Sequence, residues 1–252
     1  MFKRSLLFAA LLAAALTAQA APSDNAHKPK PTPTPLPTPP PTQILFLPFV
    51  ISAPGTYVLT NNLSYPATGF GTNPVAIGIS LPTAVGAIIL DFQGFTITNT
   101  NPQNAGECIR IQTGGQTLVQ NPLTIRNGTI SNFSEGISDY LVTPITITNI
   151  TFNIVTPTSD QNSPIWGVGL IGAENSTVSN CHFSSLFNLT GIQPMGIWDY
   201  SSFGGNTYNN NTFFDIFTPL TVSGAPGAPG GSNSTLVLAS CLFAPPPPPP
   251  IP

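Results

Sequence analysis

Of the carboxylates in the central part of this chain, Glu107, Glu135, Asp139, Glu174, Asp199 and Asp215 are the candidates for exchanging protons with a substrate. Two of them share a context. Asp139 and Asp199 each stand three residues after the glycine of a Gly-Ile pair, Gly136-Ile137 and Gly196-Ile197. Breaking a glycosidic bond or a uronate chain takes paired carboxylates, or a base beside bound calcium, so this pair is the candidate catalytic set. Arg110 can meet an acidic sugar and Trp198 can stack on a sugar ring. The plain alternative makes both aspartates the first residues of solvated loops and Trp198 a cover for exposed core. His182 is the one histidine after residue 42, and it reads as a strand-surface residue. No cluster has metal-ligand spacing, and no nucleotide loop, nucleophile elbow or zinc motif occurs, so neither metal nor cofactor is expected.

The elements that must position these side chains come from a repeated phrase. Leu123–Phe133 reads Leu-Thr-Ile-Arg-Asn-Gly-Thr-Ile-Ser-Asn-Phe. Its pattern of Ile125, Asn127 and Ile130 returns as Ile147, Asn149, Phe152, as Val178, Asn180, Phe183, and as Tyr208, Asn210, Phe213. A weaker copy is Leu238, Ser240, Phe243, and an earlier one, Phe92, Gly94, Ile97, has Gly at the Asn position. The last apolar position advances by 33, 22, 31, 30 and 30 residues, a period that signals stacked repeats. Leu123 and Ile125 have strand spacing, and Asn127 suits a corner, because Asn and Gly tolerate left-handed backbone. Each phrase is therefore read as strand, corner, strand, with successive copies stacked about 4.8 Å apart. Asn127, Asn149, Asn180 and Asn210 then form a ladder of stacked amides that satisfies buried corner groups. A second phrase, Gly78-Ile79, Cys108-Ile109, Gly136-Ile137, Gly167-Val168 and Gly196-Ile197, supplies a further sheet. Its outward column is Ser80, Arg110, Ser138, Gly169 and Trp198 if the Ile and Val residues point inward.

Toward the start of this region stand Pro54-Gly55-Thr56-Tyr57-Val58-Leu59-Thr60-Asn61-Asn62-Leu63, Gly78-Ile79-Ser80-Leu81 and Leu90-Asp91-Phe92-Gln93-Gly94-Phe95-Thr96-Ile97. This series resembles the opening coils of secreted right-handed parallel β-helix proteins of the pectin lyase-like superfamily, over about Ile51–Phe243. The resemblance implies an all-β fold, a single right-handed solenoid of about six to seven coils, and a substrate groove on the Gly-Ile sheet. The sequence departs from the family's enzymes. The clustered calcium-binding acids and basic catalytic residue of its lyases are missing, as are the Asn-Thr-Asp, Asp-Asp, Gly-His-Gly and Arg-Ile-Lys motifs of its polygalacturonases.

The rest of the chain frames this region. Lys3 and Arg4, the apolar run Leu6–Leu16 and Ala18-Gln19-Ala20 read as a secretory signal peptide over 1–20, too short to anchor in a bilayer. Residues 21–42 form a Pro/Thr-rich disordered linker, 43–244 the β domain with Ile44–Ile51 capping its open end, and 245–252 a polyproline tail. The inserts Thr156–Ile165, Phe187–Met195 and Ser223–Asn233 read as projecting loops. Charged residues make up only 6% of the chain, so Ser, Thr, Asn and Gly must supply the wet surface. After Thr42 two arginines face eight carboxylates, a balance of −6, which speaks against nucleic-acid binding. Cys181 and Cys241 fall at matching positions two coils apart, roughly 9.6 Å, beyond the reach of a disulfide, and the three cysteines are expected to pack as small apolar residues. Sequons such as Asn127-Gly128-Thr129 and Asn149-Ile150-Thr151 are expected to be inaccessible at the corners. The sequence thus points to a secreted or cell-envelope module, monomeric, that contacts extracellular polysaccharide without turnover. The alternative is a polysaccharide lyase or glycoside hydrolase working through the Gly-Ile sheet.

Overall fold

Alternating apolar residues and left-handed corners build the whole of the described chain from strands. The computed structural model describes residues 39–67, 74–81, 86–113, 122–140, 144–155, 165–185, 194–200, 205–214, 216, 218–222 and 236–241. The expected signal peptide, the linker up to residue 38, the polyproline tail, the inserts at 156–164, 186–193 and 223–235, Asp215 and Phe243 lie outside them. The chain divides into two units, Met1–Pro39 and Pro40–Pro252, and every described strand belongs to the second.

The strands form two sheets with every pairing parallel. The narrow sheet has seven strands: Phe49–Ile51, Val75–Leu81, Glu107–Thr113, Glu135–Asp139, Trp166–Leu170, Met195–Asp199 and Thr218–Val222, paired in chain order. Between successive members the chain visits the wide, eleven-stranded sheet, which holds the long strands Leu123–Phe133, Ile145–Ile154 and Thr207–Phe214. Each strand pairs with its counterpart one repeat away. Ile125 aligns with Ile147, then Val178, then Tyr208, and Ile130 aligns with Phe152, Phe183 and Phe213.

The corners take the expected conformation. Asn127, Asn149, Asn180 and Asn210 have φ of 62°, 55°, 54° and 54°. Asn149 Nδ2 donates to Asn127 Oδ1 at 3.2 Å, and Asn210 Nδ2 to Asn180 Oδ1 at 3.4 Å. The amides are not buried as anticipated: Asn149, Asn180 and Asn210 are exposed. The corner is a convex edge of the chain path, so the amide points to water, and the Asn149 sequon is accessible after all. Asn149→Ala should lose about 1–2 kcal/mol, the cost of left-handed backbone for a residue with a Cβ, and Asn149→Gly should recover most of it; urea unfolding midpoints of the two variants check this.

Three registers differ from the sequence reading. In the first copy Leu90, not Phe92, aligns with Ile125, while Ile97 still aligns with Ile130. Its corner is two residues longer, with Gln93 and Gly94 both at positive φ. Phe92 swings inward against Gly128, where a Cβ would collide with its side chain. In the narrow sheet Ile77, not Ile79, aligns with Ile109, so Gly78 and not Ser80 pairs with Arg110. The last copy begins at Leu236 opposite Tyr208, and Cys241 faces Phe213; it does not match Cys181, which is a free thiol. Residues 42–51 stand at the first edge of both sheets. They contribute the first strand of each sheet, Thr42–Ile44 and Phe49–Ile51, burying Ile44 and Ile51 and exposing Leu45, Phe46 and Val50.

Both sheets contribute to one core. Phe152, Phe183 and Phe213 lie in a near-parallel stack with centroids 4.7 and 5.0 Å apart, the spacing of the strands that carry them. The Gly-Ile phrase makes room for this stack. A Cβ on Gly136 would stand 2.8 Å from the Phe152 ring, one on Gly167 2.5 Å from Phe183, and one on Gly196 would strike Phe213.

Candidate functional site

In Glu135–Asp139, Trp166–Leu170 and Met195–Asp199 the glycine and the following Ile or Val both face the core, with Cys108 and Ile109 in the same places on Glu107–Thr113, so the residues on either side emerge together on the other face. Glu135 and Ser138 are three apart, yet the Ser138 hydroxyl donates to Glu135 Oε2 at 3.2 Å. Two rows therefore run up this outer face. One is Val75, Glu107, Glu135, Trp166, Met195 and Thr218; the other is Gly78, Arg110, Ser138, Gly169, Trp198 and Thr221.

Asp139 and Asp199 are not in either row. Counting by two from Ile137 and Ile197 turns both toward the core, and both are 0% exposed. Asp199 Oδ2 accepts from the Tyr208 hydroxyl at 2.6 Å and from Asn206 Nδ2 at 3.1 Å. These bonds tie the two sheets together. The expectation that the aspartates flank a bound sugar is corrected: they lie inside, where a polysaccharide does not reach. Arg110 and Trp198 do share the outer face, and their neighbours make the site.

Glu107 and Glu135 sit on directly paired positions of adjacent strands, with backbones about 4.8 Å apart. They are 0% and 1% exposed. Arg110 caps the pair from one side, its Nε donating to Glu107 Oε2 at 2.6 Å, so its charge is already matched. Glu107 Oε1 is buried without a hydrogen-bond partner. Burial is the main cause that pushes Glu135 up to about 7, with the negative charge of Glu107 adding to it and Ser138 and Arg110 opposing. Burial also raises Glu107, against the pull of Ser138 and Arg110. Half-exposed Tyr140 is raised first by burial and then by the charges of Glu107 and Glu135, with Arg110 and Ser138 opposing.

Next to the acids lies a ridge of aromatic rings. Trp166 Nε1–H donates to Ser138 Oγ at 3.1 Å. Its indole lies against Gly169, where a Cβ would stand 2.8 Å from that nitrogen. Trp198 packs on Trp166 with centroids 4.8 Å apart, and Tyr200 follows at 5.8 Å. Trp166 is buried, while Trp198 and Tyr200 are half-buried and offer ring surface to solvent. Among the described residues no three His, Cys, Asp or Glu side chains gather as a metal site, and no helix is long and apolar enough to cross a membrane. No family model, curated protein or solved structure matches the chain.

Sequence reasoning placed Glu107 and Glu135 among the candidate acids but did not pair them, and it left Trp166 and Tyr200 out. The signal was present in the three-residue spacing shared by Glu107-Arg110, Glu135-Ser138 and Trp166-Gly169.

Proposed function

We propose that this is a secreted right-handed parallel β-helix, of the pectin lyase-like kind, whose narrow sheet binds an extracellular sugar chain without turning it over. The ridge of Trp166, Trp198 and Tyr200 carries this reading. The half-buried rings of Trp198 and Tyr200, seated beside buried Trp166, suit the apolar face of a sugar unit. Parallel pairing one repeat apart throughout supports the solenoid. The charge balance favours neutral sugars over uronates, because Arg110 is taken by Glu107 and the domain is acidic overall. The lyase or hydrolase reading is the weaker one: of the acids near the groove, Asp139 and Asp199 face the core, and Glu107 and Glu135 are covered.

The test is a screen of the full chain against neutral and acidic oligosaccharides, followed by titration calorimetry. Trp198→Ala should weaken binding of the best neutral ligand about tenfold, or about 1.4 kcal/mol. Binding of no glycan, or unchanged affinity in Trp198→Ala, rejects the reading. Unsaturated products or new reducing ends would revive the enzyme.

A further inference from the structure

Two buried carboxylates side by side with one arginine at one side of the pair do not both ionise cheaply, since like charges in a dry site favour keeping one proton. The arginine decides where it stays. Arg110 binds Glu107, so Glu107 is the ionised member and Glu135 holds the proton. Among the described residues, the other charged or titratable groups facing Glu135 are few. The strand Glu107–Thr113 brings Glu107 and Arg110, its own strand leads to Tyr140, and the strand Trp166–Leu170 carries no titratable side chain. Asp139 lies on the core side of Glu135's strand, and the opposite sheet presents Phe152 there.

One hydrogen-bonded path runs from Glu135 through Ser138 to Trp166. Glu135 Oε2 accepts from the Ser138 hydroxyl, and the oxygen of that hydroxyl accepts from the Trp166 indole N–H. Ser138 is fully buried, so water does not substitute for it. Trp166 in turn is the floor on which Trp198 packs. Charge on Glu135 strengthens the Ser138 donation and polarises the indole N–H beyond it.

We propose that Glu135 is a positioning residue for the aromatic ridge, its protonation state reaching the Trp166 indole through Ser138 and so setting how tightly the ridge holds a sugar. The affinity part rests on the carbohydrate reading above; the wiring does not.

The chain supplies its own reporter, because its two tryptophans are Trp166 and Trp198. Tryptophan emission of the full chain, titrated from pH 5 to 9 without sugar, should show a one-proton transition near neutrality. Glu135→Gln and Ser138→Ala should flatten it, with circular dichroism confirming that each variant is folded. Glu107→Gln should keep the transition and move it to lower pH, because the neighbouring negative charge is gone; this variant serves if Glu135→Gln does not fold. Emission that is constant in the wild type, or a transition that survives in Glu135→Gln, overturns the wiring. With the best neutral glycan, affinity at pH 5.5 and 8.5 should differ at least threefold in the wild type and be equal in Glu135→Gln. Equal affinities in the wild type overturn the affinity part. Failure of the wild type to bind any glycan rejects the carbohydrate reading instead, and leaves the sugar-free transition standing.

Discussion

Glu135→Gln is expected to stabilise the domain at pH 8 by about 3 kcal/mol and to change it little at pH 4.5. Glu135 is held up to about 7 in the folded chain, first by burial and then by Glu107, against 4.5 in the unfolded chain. Between these values the folded state keeps a proton that the unfolded state has released. Stability therefore falls as pH rises from about 4.5 to about 7, and stays at the lower level above that. Glutamine cannot ionise and still accepts the Ser138 hydroxyl, so the penalty disappears where the glutamate would be charged. Asp91 works in the opposite sense. Burial pushes it upward but is outweighed by the Gln93 N–H, Arg126 and Asn127, which hold it below its ordinary value, and its contribution is lost as pH falls. Comparing wild type with variant at each pH cancels Asp91. Urea unfolding at pH 4.5 and 8 reads the difference, and equal effects at both values would contradict the buried-acid account.

Phe183→Ala should cost about 3–5 kcal/mol. The ring is fully buried between Phe152 and Phe213 and seats on Gly167. Truncation removes both stacking faces at once, and the glycine beneath has no side chain to fill the void. Phe183→Leu should cost clearly less, because it keeps most of the apolar volume. Denaturant midpoints at constant slope measure both, and similar losses for Ala and Leu would mean that stacking geometry matters more than filled space.

The middle of the wide sheet was legible because its signals are steep. Left-handed backbone is costly for most residues, so Asn127, Asn149, Asn180 and Asn210 mark corners unambiguously, and Ile125 and Ile130 fix the strands on either side. The narrow sheet was legible only in part. In Val75–Leu81 the alternation through Ile77 and Ile79 fits two registers equally well, and the choice depends on which residue lies beside Arg110, a tertiary fact. The site was misread for a different reason. Period-two counting from Ile137 already turned Asp139 inward. The same counting would have hidden Glu135, which faces outward only because Gly136 joins Ile137 in facing the core. A glycine that yields its place to a ring from the opposite sheet leaves no pattern along its own strand.

The three glycine seats under Phe152, Phe183 and Phe213 also act as a registration lock. Sliding either sheet by one position would drive a benzyl group into Ile137, Val168 or Ile197 instead of an empty seat, and each further rung repeats the clash. Misthreading is thus penalised rung by rung, which protects a stack whose repeated strands otherwise resemble one another closely enough to be exchanged.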